Sequence, residues 1–133
     1  MKIYTDGACS DNLGPAAAAW LVLDGERVLL EDGEYLGHST NNEAEYSAII
    51  RGLEACIAEG YRDVRAHSDS QLCVRQINGE WRVREPRLKP LHEDVQRLMK
   101  EFERIEFEWV GRDDEWIARC DGRARLGCLR LNY

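Results

Sequence analysis

Residues 40–68 read TNNEAEYSAIIRGLEACIAEGYRDVRAHS, and this stretch decides the fold. Thr40-Asn41-Asn42-Glu43 fits a capping box, with Thr40 as N-cap and Glu43 reaching back from the third helical position. Ala44, Ala48, Ile49, Leu53, Cys56 and Ile57 then recur at helical spacing. Gly60 stands where a C-terminal cap belongs. Over 63–68 the period drops to two, with Val64 and Ala66 on one face of a short strand. A helix between two strands implies a parallel crossover.

Upstream, residues 2–6 alternate, Ile3 and Thr5 one way and Tyr4 and Asp6 the other, as a strand that stops at Gly7. Asn12-Leu13-Gly14-Pro15 is a turn, and 16–23 is an apolar run consistent with a buried strand. Asp24-Gly25 signals a hairpin into a third strand from Arg27 towards Leu36. Downstream, Asp69 starts a helix carrying Leu72, Cys73 and Gln76, which ends at Asn78-Gly79. Pro90 suits the first turn of a helix bearing Leu91, Val95, Leu98, Met99 and Phe102. Ile105, Phe107 and Trp109 alternate with Glu106 and Glu108, which predicts an edge strand with one wet face. A last helix is expected over 117–128. The order β-β-β-α-β-α-α-β-α predicts an α/β fold with a five-stranded mixed sheet, three antiparallel strands then two parallel, flanked by helices. Ligands tend to bind at the carboxyl ends of the parallel strands.

The chain has 133 residues, 44% apolar and 32% charged. That length fits a single domain over 1–133 with a core that needs no metal or disulfide staple. The composition excludes wholesale disorder. The longest uncharged apolar run, 13–23, is about half of a membrane span. No signal peptide precedes the first strand, so a cytoplasmic monomer is expected, with no membrane partner. Five cysteines, an odd number without a Cys-x-x-Cys, argue against a disulfide framework and a zinc site. Net charge is -7, yet it is unevenly spread. Residues 81–90 carry Arg82, Arg84, Arg87 and Lys89 against Glu85, and 119–133 carry Arg119, Arg123, Arg125 and Arg130 against Asp121. An acidic total therefore leaves room for a phosphate-binding face.

Four acidic residues stand where neutral ones would pack better. Asp6 ends the first strand, Glu45 lies early in the first helix, Asp69 joins the fourth strand to the next helix, and Asp121 sits among arginines. If strands one and four are parallel neighbours, Asp6 and Asp69 meet at one sheet edge. Carboxylates a few ångströms apart repel, and one stays protonated unless a cation lies between them. Mg²⁺ suits such a site, and two ions about 4 Å apart can activate a water and stabilise a leaving oxygen. Read alone, each residue also has a plainer use. Asp69 serves as an N-cap, Glu45 as a solvated helix residue favoured by the macrodipole, and Asp6 as a turn residue.

The surrounding words are more specific. Tyr4-Thr5-Asp6-Gly7-Ala8-Cys9, Ser39-Thr40-Asn41-Asn42-Glu43-Ala44-Glu45-Tyr46 and Ser68-Asp69-Ser70-Gln71-Leu72 occur in that order. Together with the element order they resemble type 1 ribonuclease H, over essentially the whole chain. The resemblance implies a ribonuclease H-like fold in a short form lacking the basic handle. It implies an endonuclease that hydrolyses the RNA strand of RNA–DNA hybrids with two Mg²⁺ ions, Mn²⁺ substituting, and leaves 5′-phosphate and 3′-hydroxyl ends. Asp6, Glu45 and Asp69 would be the first three catalytic and metal-binding residues.

The fourth departs from part of the family. Handle-less relatives read Trp-Val-Pro-Arg, an Asn, then Ala-Asp; here Trp109-Val110-Gly111-Arg112 runs to Ala118-Arg119. Longer-loop relatives read Arg-Cys-Asp then Leu-Ala-Arg, which Arg119-Cys120-Asp121 and Arg123-Ala124-Arg125 match. Asp121 is therefore expected as fourth ligand, the alternative being three carboxylates with Arg119 repelling the second ion. Several relatives carry a histidine in the preceding loop. Here 111–116 has none, leaving Asp114 or Glu115 for that role. His67 reads as structural or half-exposed, His38 and His92 as surface residues.

An enzyme confined to hybrid must read a 2′-hydroxyl. Gly7, Ala8 and Cys9 offer backbone for this, and Asn12, Asn41, Asn42 and Gln71 offer amides. Trp81, Arg82, Arg84, Arg87 and Lys89 form a reduced clamp, with Arg82 and Arg84 as substrate contacts and double-stranded RNA as a further candidate substrate. Trp109 is expected to pack the sheet. Two other functions compete: a catalytically silent hybrid- or double-stranded-RNA-binding module, and a related polynucleotidyl transferase or exonuclease.

Overall fold

The structure, a computed structural model, describes residues 1–129. Arg130, counted above in the second basic stretch, lies outside the described residues. The elements are β1 (Lys2–Cys9), β2 (Pro15–Asp24), β3 (Arg27–His38), α1 (Asn41–Ala58), β4 (Asp63–Ser68), α2 (Gln71–Ile77), α3 (Lys89–Met99), β5 (Arg104–Trp109) and α4 (Glu115–Leu129). They form a five-stranded sheet of order β3-β2-β1-β4-β5. β1, β2 and β3 pair antiparallel, while β4 runs parallel to both β1 and β5. This is the element order and mixed sheet that the sequence predicts.

The capping box forms. Thr40 Oγ1 accepts from the Glu43 amide at 3.1 Å, and Glu43 Oε1 accepts from the Thr40 amide at 2.9 Å. Gly60 releases the chain from α1 with φ +81°, a left-handed conformation that costs glycine nothing. The apolar run of β2 is long because both faces are covered. Ala18, Trp20 and Val22 pack with Leu53, Ile49 and Tyr46 of α1 on one side. Ala19, Leu21 and Leu23 pack with Ile117, Cys120 and Ala124 of α4 on the other. All five cysteines are free. Burial pushes the Cys56 thiol up to about 11 and those of Cys73 and Cys120 up to about 12, so they stay protonated and act as small apolar fillers.

Several local expectations are corrected. β1 does not stop at Gly7: Gly7, Ala8 and Cys9 continue the ladder opposite Ala18, Ala17 and Ala16. Only the β4 side ends early, at Thr5 opposite Ser68. α2 is capped by Ser70, whose Oγ accepts from the Cys73 amide at 3.2 Å, and not by Asp69. Trp109 is 52% exposed and does not pack the sheet. His92 is half-buried, with Nε2 3.1 Å from the Gln76 carbonyl and its ring edge-on to Tyr46. His67 is buried, stacked on Tyr4 at 4.5 Å and 3.4 Å from a Glu108 oxygen, a structural histidine. Among the described residues no helix is long and apolar enough to cross a membrane.

Candidate active site

Parallel register places the first two carboxylates. Thr5 lies opposite Ser68 in the last rung between β1 and β4, so the next residue on each strand, Asp6 and Asp69, emerges at the same edge. α1 supplies the third. Gly7 lets the helix approach, since a Cβ there would overlap the backbone of Ala44 and Glu45. The Gly7 amide donates to Glu45 Oε1 at 2.6 Å and fixes the carboxylate over the end of β1. The turn carrying Asp69 is held on three sides. The Trp109 indole donates to the Asp69 carbonyl at 3.3 Å, the Ser70 amide to Ser68 Oγ at 3.1 Å, and the Val110 amide to the Ser68 carbonyl at 3.0 Å.

One oxygen from each of Asp6, Glu45 and Asp69 lies within 4.8 Å of the other two. Asp6 is 3% exposed, and burial, then the charges of Glu45 and Asp69, raise its carboxyl far above the usual range. Glu45 is raised to about 8, first by burial and then by Asp69, although the Gly7 amide pulls the other way. Asp69 Oδ1 is buried without a hydrogen-bond partner among the described residues. An orphaned carboxylate oxygen beside two crowded acids fits a hard divalent cation.

Asp121 lines the same cleft, of about 790 Å³, and its presence helps raise the Asp6 carboxyl, but it stands outside the tight trio. Its Oδ2 lies 2.9 Å from Arg125 Nε. Arg119, expected to threaten the fourth position, turns away. Its guanidinium forks onto Glu31 of β3 at 2.5 and 2.6 Å and lies against the Trp116 ring. Asp114 is used up as the α4 cap, accepting from the Trp116 and Ile117 amides. From the same loop Arg112 lines the cleft, with Nε 4.0 Å from Asp69 Oδ2.

The reverse transcriptase-like family model matches residues 4–120. The chain is 38% identical to ribonuclease HI of Halobacterium salinarum over 101 residues, covering 75% of this chain and 51% of that protein. It thus spans about half the length of that curated relative. The crystal structure of RNase H1 from the same archaeon superposes with a TM-score of 0.92 at 33% identity, covering 97% of each chain. This chain belongs to the type 1 ribonuclease H family. LC11-RNase H1, solved in complex with an RNA/DNA hybrid, is likewise similar, with a TM-score of 0.91 at 33% identity and 99% of each chain covered.

Against this ribonuclease H frame the other expected site residues fall into two groups. Gly7, Ala8, Cys9, Asn41, Asn42 and Gln71 line the carboxylate cleft. The Gly7 amide, however, is already committed to Glu45. Asn12 lines a second hollow of about 580 Å³ beside Thr40 and Arg87, and its Oδ1 accepts from the Asn41 amide at 3.0 Å. Arg82 and Arg84 are exposed on the α2–α3 loop, and neither is among the described residues that wall the cleft. Sequence reasoning missed Trp109 as a support of Asp69, and Arg112 and Arg125 as cleft residues. Arg125 had a signal, its i,i+4 spacing from Asp121.

Proposed function

We propose that this chain is an endoribonuclease that hydrolyses the RNA strand of RNA–DNA hybrids, using two divalent cations and leaving 5′-phosphate and 3′-hydroxyl ends. The observation that carries this reading is the trio Asp6, Glu45 and Asp69, crowded within 4.8 Å around an orphaned Asp69 oxygen at the end of two parallel strands. These residues, with Asp121 at the rim, would hold Mg²⁺, or Mn²⁺ in its place. When bound, the cations supply activation of the attacking water and neutralise charge at the scissile phosphate.

The chain's own groups do the rest. Gly7 and Trp109 lock Glu45 and Asp69 in place before substrate arrives, so no reorganisation is needed at the moment of reaction. The backbone at Ala8 and Cys9 and the amides of Asn41, Asn42 and Gln71 face the cleft, where they can pair with ribose hydroxyls and phosphates. Arg112 and Arg125 put positive charge on the wall of an otherwise acidic chain, and Arg82 and Arg84 extend it as an outer clamp. Five free thiols support a reducing, cytoplasmic setting. The silent-binder reading draws on Arg119 and on the irregular fourth position; the Glu31 pairing draws Arg119 away from Asp121 and weakens the first of these grounds.

The test is incubation of end-labelled hybrid, double-stranded RNA and double-stranded DNA with the protein and Mg²⁺. Cleavage of the RNA strand in the hybrid, abolished by EDTA and leaving products that a polymerase extends from a 3′-hydroxyl, is expected. Binding of hybrid without any cutting would contradict the proposal.

A further inference from the structure

α4 carries three arginines within the described residues, and their partners divide them. Arg119 forks onto Glu31 and Arg123 reaches Asp32 at 3.5 Å, both on β3. Arg125 instead lines the cleft, and its Nε lies 2.9 Å from Asp121 Oδ2, one helical turn back. The fourth carboxylate is thus satisfied by a guanidinium while Asp69 Oδ1, deeper in the same cleft, has no hydrogen-bond partner among the described residues. We propose that Arg125 is a positioning residue that holds Asp121 as an internal counter-ion, so that a divalent cation engages this carboxylate only by displacing the guanidinium. This rests on the metal-dependent reading above and deepens it.

The consequence is an ordered filling of the site. Among the described residues the trio has no cationic group at hydrogen-bond distance, Arg112 standing off at 4.0 Å, and it takes the first cation with little opposition. The position that includes Asp121 fills second, against Arg125. Arginine stays charged at every accessible pH, so the competition is between two cations for one carboxylate, not a proton switch. The side chains of Arg125 and Asp121 are 74% and 37% exposed, so the pair is a weak one. An exposed pair of this kind lowers the affinity of a competitor by roughly two- to fivefold.

Calorimetric titration of the full chain with Mn²⁺, without nucleic acid, tests this on four proteins: wild type, Arg125→Gln, Arg125→Lys and Arg123→Gln. Arg125→Gln should tighten the weaker binding event roughly two- to fivefold and leave the tighter one unchanged. Arg125→Lys should keep the wild-type pattern. Arg123→Gln removes the same charge from the same helix without touching Asp121, and should change neither event. In an Asp121→Asn background, Arg125→Gln should have no effect. The half-maximal Mg²⁺ concentration for hybrid cleavage should fall by the same factor in Arg125→Gln. The inference is overturned if Arg125→Gln binds Mn²⁺ no tighter than Arg123→Gln, or if it still tightens binding in the Asp121→Asn background. A wild type that binds no Mn²⁺ at all would bring down the nuclease reading as well, which separates the two failures.

Discussion

Asp6 is buried and faces two further carboxylates, so in the absence of a cation its ionisation opposes folding. A carboxyl whose folded pKa lies above its unfolded value binds more protons in the native state, and stability then falls as pH rises. The window opens near pH 4, where free Asp and Glu titrate, and extends through about 8, where Glu45 is placed. The metal-free protein should therefore lose stability between these limits, on the order of a few kcal/mol and several degrees in melting temperature. Asp6→Asn should flatten that loss and melt higher than wild type in EDTA at mildly alkaline pH, while abolishing hybrid cleavage and sparing hybrid affinity. Thermal scans across pH, with and without EDTA, check it; a wild type whose metal-free stability rises over this range would contradict it. Asp69→Asn should cost cleavage on the order of 10²-fold or more, the scale of removing one electrostatic stabiliser. Asp121→Asn should cost less, because Asp121 is half-exposed and outside the trio. Equal losses in single-turnover assays would refute the ranking.

At the scale of elements, the site depends on how closely α1 rides on β1. A methyl at Gly7 would meet the backbone of Ala44 and Glu45 and force the start of α1 outward. Gly7→Ala should cost about 1–3 kcal/mol in stability and more than tenfold in cleavage, since Glu45 moves with the helix. Tyr46→Phe provides the contrast. The Tyr46 hydroxyl donates to Gln76 Oε1 at 2.6 Å, and Gln76 Nε2 donates to the Arg82 carbonyl, a buried chain joining α1, α2 and the following loop. Its loss should cost about 1–3 kcal/mol in denaturant melts and leave cleavage per folded molecule unchanged. Much of this architecture was legible beforehand. The change of period at 63–68 and the Thr40 capping box mark a crossover, and the crossover puts Asp6 and Asp69 at one edge. Strand ends were less legible, because β1 continues past Gly7 only through pairing with Ala16, Ala17 and Ala18. The plainer use of Asp69 as an N-cap is set aside because Ser70, one residue on, offers the better-placed oxygen.

Across the whole molecule, the arginines of α4 and of the loop before it are divided between the far edge of the sheet and the cleft. Arg119 and Arg123 are drawn off to β3, while Arg112 and Arg125 remain at the cleft. The pairings with β3 could not be read from spacing, since Arg119 and Glu31 lie 88 residues apart and meet only once β3 and α4 are in place. The carboxylate trio was legible for the opposite reason: each member sits in a short word whose geometry is local. With so few cleft arginines, hybrid affinity should be modest and fall with salt by a shallow slope, which Arg112→Gln reduces by about one. The central claim is that Asp6 of β1, Asp69 just after β4 and Glu45 near the start of α1 are tolerable together because a divalent cation joins them. The most direct measurement is a crystal structure of the protein grown with Mg²⁺ at mildly alkaline pH. The account predicts an ion bound by oxygens of Asp6, Glu45 and Asp69 at about 2.1 Å. Carboxylates splayed apart, or paired with Arg112 and Arg125 and no ion among them, would contradict it.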